Sequence, residues 1–159
     1  MLRICFVCLG NICRSPTAEG VLKQLVAQAG LGHAFHIESA GTAGYHVGEP
    51  PDRRTIATAR THGVELTSRA QQFEQGSFAR FDLVLAMDTN NRADLLRIAP
   101  DEAARAKVLL LRNFEPAAGP DAAVPDPYYC EQAAFEEVFS ICQAACTGLL
   151  TALRREHGL

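Results

Sequence analysis

Short runs of unbroken hydrophobicity alternate along this chain with segments whose apolar residues recur every three or four positions. "LRICFVC" (2–8) is a nearly continuous apolar run closed by Gly10. Such a run fits a strand covered on both faces, as in a parallel sheet. In "SPTAEGVLKQLVAQAG" the residues Val21, Leu22, Leu25, Val26 and Ala29 fall on one helical face. Ser15 is placed to cap that helix, Pro16 to open it and Gly30 to stop it. "AFHIESAG" (34–41) reads as a second strand, "TAGYHVGEPP" (42–51) as loop, and "DRRTIATARTHG" (52–63) as a helix stopped by Gly63. "FDLVLAMD" (81–88) reads as a third strand, "NNRADLLRIAP" (90–100) as a helix ended by Pro100, and "AKVLLL" (106–111) as a fourth strand. A long proline-bearing loop, "NFEPAAGPDAAVPDPYY" (113–129), leads to a final amphipathic helix over 131–156. Phe135, Val138, Phe139, Cys142, Cys146, Leu149, Leu150 and Leu153 form its apolar face.

Strands alternating with helices predict an α/β fold in three layers. A four-stranded parallel sheet is flanked by helices on both faces and joined by right-handed crossovers. Ligands in such sheets bind at the carboxyl ends of the strands. The loop after strand one lies at that edge, and so does Asp88, which ends strand three.

Composition narrows the picture. A chain of 159 residues with 48% hydrophobic and 21% charged residues fits a single globular domain spanning 1–159. The net charge of −3, with no block of like charges, gives no reason to expect a nucleic-acid or membrane partner. No apolar stretch approaches the roughly 20 residues of a membrane span. The opening "MLRICFVCLG" is short and lacks a small-residue cleavage pattern, so no signal peptide is expected. The expected compartment is the cytoplasm, where the six cysteines stay reduced.

The chemistry concentrates in "VCLGNICRSP" (7–16). A phosphate seated between strand one and its helix would meet the free N–H groups of the helix N-terminus, whose dipole favours negative charge. Gly10 and Asn11 tolerate the left-handed backbone that turns successive N–H groups inward. Leu9, Gly10, Asn11, Ile12, Cys13 and Arg14 thus form a candidate phosphate cradle, with the planar Arg14 fork binding two oxygens. Cys8 lies at its floor, where positive surroundings favour the nucleophilic thiolate. Nucleophile and cradle together suit attack on phosphorus through a phosphocysteine. The Ser15 hydroxyl can ease the departure of the thiolate. It cannot readily do so and also cap the helix, so its two readings compete. Cys5 and Cys8 form a C-x-x-C, yet residues three apart on a strand face opposite sides, which argues against one shared metal. No metal and no cofactor is expected. Cys142 and Cys146, one helical turn apart on an apolar face, read as core filling.

"VCLGNICRSPTAE" closely resembles the active-site loop of the low-molecular-weight protein tyrosine phosphatases. "SAGT", "GEPPD", "HG", "AMD" and "DPYY" follow in the family's order, so the resemblance covers nearly the whole chain. It implies hydrolysis of phosphotyrosine in protein substrates, with inorganic phosphate and other oxyanions as inhibitors. It implies that Asp126 is the general acid and then base, a role open to a carboxylate held over a cleft. Read alone, Asp-Pro is an ordinary turn signal. Tyr128 and Tyr129 would line the mouth, with Tyr45 as the opposite wall, and stack on the substrate ring. Asn11, Ser39 and His62 match positions that hold the phosphate loop in shape, although His62 also sits where a helix C-terminus attracts a histidine. Asp88 and Asn91 read either as part of that edge or as the N-cap cluster of the next helix. The family commonly carries glycine after the two tyrosines, where this chain has Cys130. A loop curled around one phosphate brings Cys13 toward disulfide reach of Cys8. The resemblance implies that this pair protects the nucleophile reversibly from over-oxidation.

Two rivals remain. A thiol-linked arsenate reductase shares the fold and loop, but needs further redox cysteines after strand three. This chain has none between Cys13 and Cys130. A non-catalytic phosphotyrosine-binding module needs the cradle and Arg14, but neither Cys8 nor Asp126. A nucleoside triphosphatase would need a Gly-Lys-Ser/Thr loop, which is absent.

Overall fold

The strand β1 (Leu2–Cys8) is central in a parallel sheet of order β2-β1-β3-β4, in a computed structural model that describes residues 1–159. β2 (Phe35–Gly41), β3 (Leu83–Ala86) and β4 (Val108–Leu110) are the other strands. The register sets Cys8 beside Gly41 on one side and Val7 beside Ala86 on the other. The chain runs outward from β1 to β2 and then returns past it to β3, so the strand order reverses between β1 and β3. That reversal opens a crevice at the carboxyl edge.

Alternation along β1 divides the interior in two. Ile4, Phe6 and Cys8 point into one core with Ala18, Val21 and Leu22 of helix α1 (Arg14–Gln28) and with the apolar face of α5 (Gln132–His157). Cys5 and Val7 point into a second core with Phe73, Phe78 and Phe81, Leu95 of α3 (Thr89–Ile98) and Ala104 of α4 (Glu102–Ala106). The three layers are therefore α1, α2 (Arg53–Thr61) and α5 on one face, the sheet, and α3 and α4 on the other. Cys5 and Cys8 do face opposite sides.

Helix stops follow the glycines. Gly30 and Gly63 both take a left-handed backbone, with φ of 70° and 77°. After each, the chain folds back on its helix, Leu31 N–H to Val26 C=O and Val64 N–H to Ala59 C=O. The start of α1 differs from expectation. Cys13, without a side-chain cap, occupies the cap position, so Arg14, Ser15 and Pro16 form the first turn. Pro16 still fits, because N–H groups in that turn have no partner within the helix. The short elements escape the hydrophobic pattern: α4, five residues long, and the 3-10 turns Gly32–Ala34, Gln75–Arg80 and Leu111–Phe114. Strand four consequently begins at Val108 rather than 106.

One expectation needs correcting. By length and composition α5 is long and apolar enough to cross a membrane, with a window of mean hydropathy 1.2. Its cysteines and alanines raise the average without making one continuous apolar run. Phe135, Val138, Cys142, Cys146, Leu149 and Leu153 are buried in this fold, and α5 packs along α1. Burying each large apolar side chain stabilises the fold by roughly 1.5–3 kcal/mol.

Where α5 crosses the 3-10 turn Leu111–Phe114, a Cβ on Gly148 would stand 1.9 Å from the Phe114 carbonyl oxygen. In an open helix Gly→Ala stabilises by roughly 1 kcal/mol. Here the sign should reverse: Gly148→Ala is expected to destabilise by about 1–3 kcal/mol through overpacking, read as a lower urea midpoint at unchanged m.

Candidate active site

The loop Leu9–Cys13 wraps the crevice between β1 and α1. Its bend depends on Asn11, which is left-handed at φ 58°. Asparagine is one of the few residues with a side chain that accept this backbone, because its amide bonds locally. The Asn11 N–H turns inward and donates to Cys8 Sγ at 3.3 Å. The N–H groups of Leu9, Gly10, Ile12 and Cys13 have no acceptor in the protein, and these four residues line one cleft. With the N-terminus of α1 behind them, they form a concave anion site.

Asn11 also fixes the direction of a hydroxyl chain. Its Nδ2 donates to Ser15 Oγ at 2.8 Å and to Ser39 Oγ at 2.9 Å. Its Oδ1 accepts from the Gln71 N–H at 3.0 Å. Each hydroxyl therefore accepts from Asn11 and has its proton free for another partner. Ser39 donates to Glu19 Oε1 at 2.5 Å. Ser15 lies 3.0 Å from Cys8 Sγ and 3.4 Å from the Ala40 carbonyl, so the sulfur is its nearer acceptor. The competition over Ser15 resolves toward the sulfur, because it is inside α1 rather than at the cap.

Arg14 is buried at 3% exposure. Its Nη1 donates to Asp88 Oδ2 at 2.6 Å and to the Val124 carbonyl at 3.2 Å. Nη2 lies 3.8 Å from Asp126 Oδ2. Burial pulls the guanidinium pKa down, but the negative charges of Cys8, Asp88 and Asp126 more than offset it and raise it above the usual arginine value. Asp88 fulfils both of its readings: Oδ2 holds Arg14, while Oδ1 caps α3 by accepting the Asn91 N–H at 2.7 Å. Asn91 belongs to that cap.

Asp126 is half exposed above the loop, and its Oδ1 accepts the Tyr128 N–H at 3.1 Å. Cys130 closes the following turn with its N–H on the Pro127 carbonyl, 2.9 Å away, and without a positive φ. Nothing in this turn demands glycine. Cys8, Leu9, Gly10, Ile12, Cys13, Arg14 and Asp126 line one cleft of about 340 Å³, walled by Tyr45 and His46 on one side and Tyr128 and Tyr129 on the other. Tyr128 and Tyr129 meet edge to face, with ring centroids 4.9 Å apart.

His62 is not part of this assembly, contrary to its match with loop-holding positions. Its ring stacks on Phe139 at 4.2 Å, and Nε2 lies 2.8 Å from Glu136 Oε2. It follows the last turn of α2, about 13 Å along the helix from Arg53 at the site end. It ties α2 to α5. Sequence reasoning missed Glu19, Gln71 and His46. A carboxylate on the inner face of α1, only 5% exposed, was the available signal for Glu19. Gln71 acts through its backbone N–H, which leaves no mark in the sequence.

Comparison with known proteins fits this geometry. The family model described as low molecular weight phosphotyrosine protein phosphatase matches residues 3–158. A low molecular weight protein-tyrosine-phosphatase of Streptomyces coelicolor is 52% identical over 155 residues, which are 97% of this chain and 94% of the relative. The low molecular weight phosphotyrosine protein phosphatase of Homo sapiens is 38% identical over 148 residues, 92% of each chain. A protein tyrosine phosphatase of Entamoeba histolytica, solved with Hepes in its active site, superposes with a TM-score of 0.93 at 34% identity, covering 98% of this chain and 99% of that one. With nucleophile-bearing loop, buried arginine and fold all in agreement, the chain belongs to the low-molecular-weight protein tyrosine phosphatases, a family of cysteine-dependent phosphatases.

Proposed function

We propose that the cleft hydrolyses phosphotyrosine in two displacements at phosphorus, with Cys8 as the nucleophile. The observation that carries this reading is the Cys8 sulfur on the floor of a cradle of unpaired N–H groups, with Arg14 beside it. The phosphate dianion binds the loop N–H groups and Arg14. The Cys8 thiolate attacks phosphorus, and the phenolic oxygen leaves with the proton of Asp126. The aspartate, now a carboxylate, takes a proton from water, which attacks the phosphocysteine. Cys8 departs as a thiolate stabilised by the Ser15 hydroxyl and the Asn11 N–H. Tyr45, Tyr128 and Tyr129 receive the substrate ring. Asn11 and Ser39 keep the loop in its working shape.

Phosphate and related oxyanions inhibit by filling the same cradle. Family membership supports phosphoprotein substrates, and composition supports a cytoplasmic compartment with no nucleic-acid or membrane partner. Six free cysteines suit a reducing compartment. Arsenate reduction is disfavoured by the absence of cysteine between Cys13 and Cys130.

Cys13 is proposed as the guard of Cys8. Burial pushes its thiol up to about 12. At neutral pH the thiol is therefore predominantly protonated, and Cys8 rather than Cys13 is the sulfur that reacts first. When peroxide converts Cys8 to a sulfenic acid, attack by the Cys13 sulfur expels water and forms a disulfide that external thiols reduce.

Four outcomes are expected. Hydrolysis of 4-nitrophenyl phosphate should persist in a chelator, since Arg14 and the loop supply the positive charge. Cys8→Ser should show no turnover, and Asp126→Ala should lose about 10²–10³-fold in kcat; full activity in Cys8→Ser would sink the mechanism. Iodoacetamide at pH 7, mapped by mass spectrometry, should label Cys8 in a phosphate-protected manner. It should spare Cys13 and Cys142, both held near 12 by burial, together with the fully buried Cys5 and Cys146. Finally, thiols should restore peroxide-treated wild-type enzyme but not Cys13→Ser; equal recovery of the two would remove Cys13 from this role.

A further inference from the structure

We infer that Arg54 is the positioning residue that holds Asp126 over the phosphate loop for proton transfer. The inference rests on Asp126 being the general acid. Asp126 lies in a long loop with its side chain 48% exposed; the carboxylate takes a single hydrogen bond, from the Tyr128 N–H, and faces Arg14 Nη2 only at 3.8 Å. A carboxylate so placed keeps its direction only if the backbone on either side is fixed. On the upstream side it is fixed twice at Val124. The Val124 N–H donates to the Met87 carbonyl at 2.8 Å, and the Val124 carbonyl accepts from Arg14. On the downstream side the tie to the rest of the protein is Arg54, whose Nη2 donates to the Tyr128 carbonyl at 2.9 Å. Beyond it the next tie is Gln132, already in α5, bonded to Thr58.

Arg54 is itself anchored to the phosphate loop. Its Nε and Nη2 pair with both oxygens of Asp52, at 3.1 and 3.0 Å. Asp52 caps α2 by accepting the Arg54 N–H, and its own N–H donates to the Ile12 carbonyl at 2.8 Å. The guanidinium also lies over the Phe135 ring, 4.5 Å from its centroid, and 5.6 Å from that of Tyr128. One continuous path therefore runs from Ile12 in the cradle through Asp52 and Arg54 to Tyr128, and from the Tyr128 N–H to Asp126. It sets the distance between the group that binds phosphate and the group that protonates the leaving oxygen. Arg54 is not among the residues that line the cleft.

A residue that positions the acid has a signature that a merely stabilising residue lacks. Its loss hurts most where the leaving group needs a proton. The test measures kcat/KM for phenyl phosphate, a poor leaving group, and 4-nitrophenyl phosphate, a good one, with the inhibition constant of inorganic phosphate as the readout of the cradle. Arg54→Ala should lose about tenfold more on phenyl phosphate than on 4-nitrophenyl phosphate, with phosphate inhibition unchanged. Arg54→Lys, which keeps the charge and one point of donation, should restore part of that difference. In an Asp126→Ala background, Arg54→Ala should add no further discrimination, because both act through one proton. Asp52→Asn keeps a helix cap and loosens the grip on Arg54. It should show the same bias to a smaller degree, and carries the test if Arg54→Ala folds poorly. Equal losses on both substrates, or no loss, overturn the inference while leaving the acid in place. If Asp126→Ala itself shows no leaving-group bias, the acid assignment fails and the inference falls with it.

Discussion

Arg14 keeps a positive charge with almost none of its surface in water, and the carboxyl edge of the sheet is arranged around that charge. An isolated buried cation is costly, and removing the partner of a buried ion pair typically costs 3–5 kcal/mol. Asp88 answers the charge at 2.6 Å, and it can do so because β1 and β3 are neighbours in register. The first residue of α1 and the second residue after β3 then meet across the crevice. Val124 adds a carbonyl, which draws the long loop down onto the same guanidinium. The pairing uses Nη1 alone, leaving Nε and Nη2 without hydrogen bonds to the protein. The charge is thus balanced by protein while the remaining donors of the guanidinium are not used by it, and the oxygens of a phosphate are complementary to those donors.

The second constraint is the direction of protons behind the loop. A hydroxyl next to a thiolate is useful only as a donor, and a hydroxyl has one proton to give. Asn11 settles the matter by occupying an acceptor position on both Ser15 and Ser39, so each must donate elsewhere. The buried Glu19 takes the proton of Ser39, and Lys23 balances its charge at the surface. The sulfur remains as the nearer acceptor for Ser15. A single left-handed asparagine therefore sets both the shape of the cradle and the polarity of its support.

Much of this was legible in the chain. The covered strands β1, β3 and β4 leave short unbroken apolar runs, while β2, at one edge of the sheet, keeps polar His36 and Glu38 between buried residues, and all four appear in the sequence. Glycines that must turn left-handed marked the ends of α1 and α2. Cys8, Arg14 and Asp126 are recognisable because nucleophile, oxyanion partner and acid need particular functional groups. The illegible parts have physical reasons. α4 is too short to establish a helical period. Ser15 followed by Pro16 looks like a cap, but the register of the turn is set by the cradle, and the cap falls two residues earlier, at Cys13. His62 sits beside a glycine stop whether it serves the site or the core, and only packing on Phe139 and Glu136 distinguishes the two. Gln71 contributes a backbone N–H, which any non-proline residue could supply.

The two halves of the cleft are held by different means. The floor inherits its precision from the sheet: Cys8 ends the central strand, and Gly41 lies so close that a side chain there would stand 2.7 Å from the Leu9 carbonyl. The wall that carries Asp126, Tyr128 and Tyr129 is itself neither strand nor helix. It is fixed by side-chain donors to carbonyls, Arg14 to Val124 on one side and Arg54 to Tyr128 on the other. Such ties hold direction without filling space, which suits a wall that must admit a phosphotyrosine ring and the peptide around it. The division also follows the chemistry. Attack at phosphorus needs a rigid cup that opposes charge, whereas proton transfer needs an acid near whichever oxygen departs. Both arginines enter from the start of a helix, so the phosphate and the acid are referenced to the same layer of helices packed on one face of the sheet.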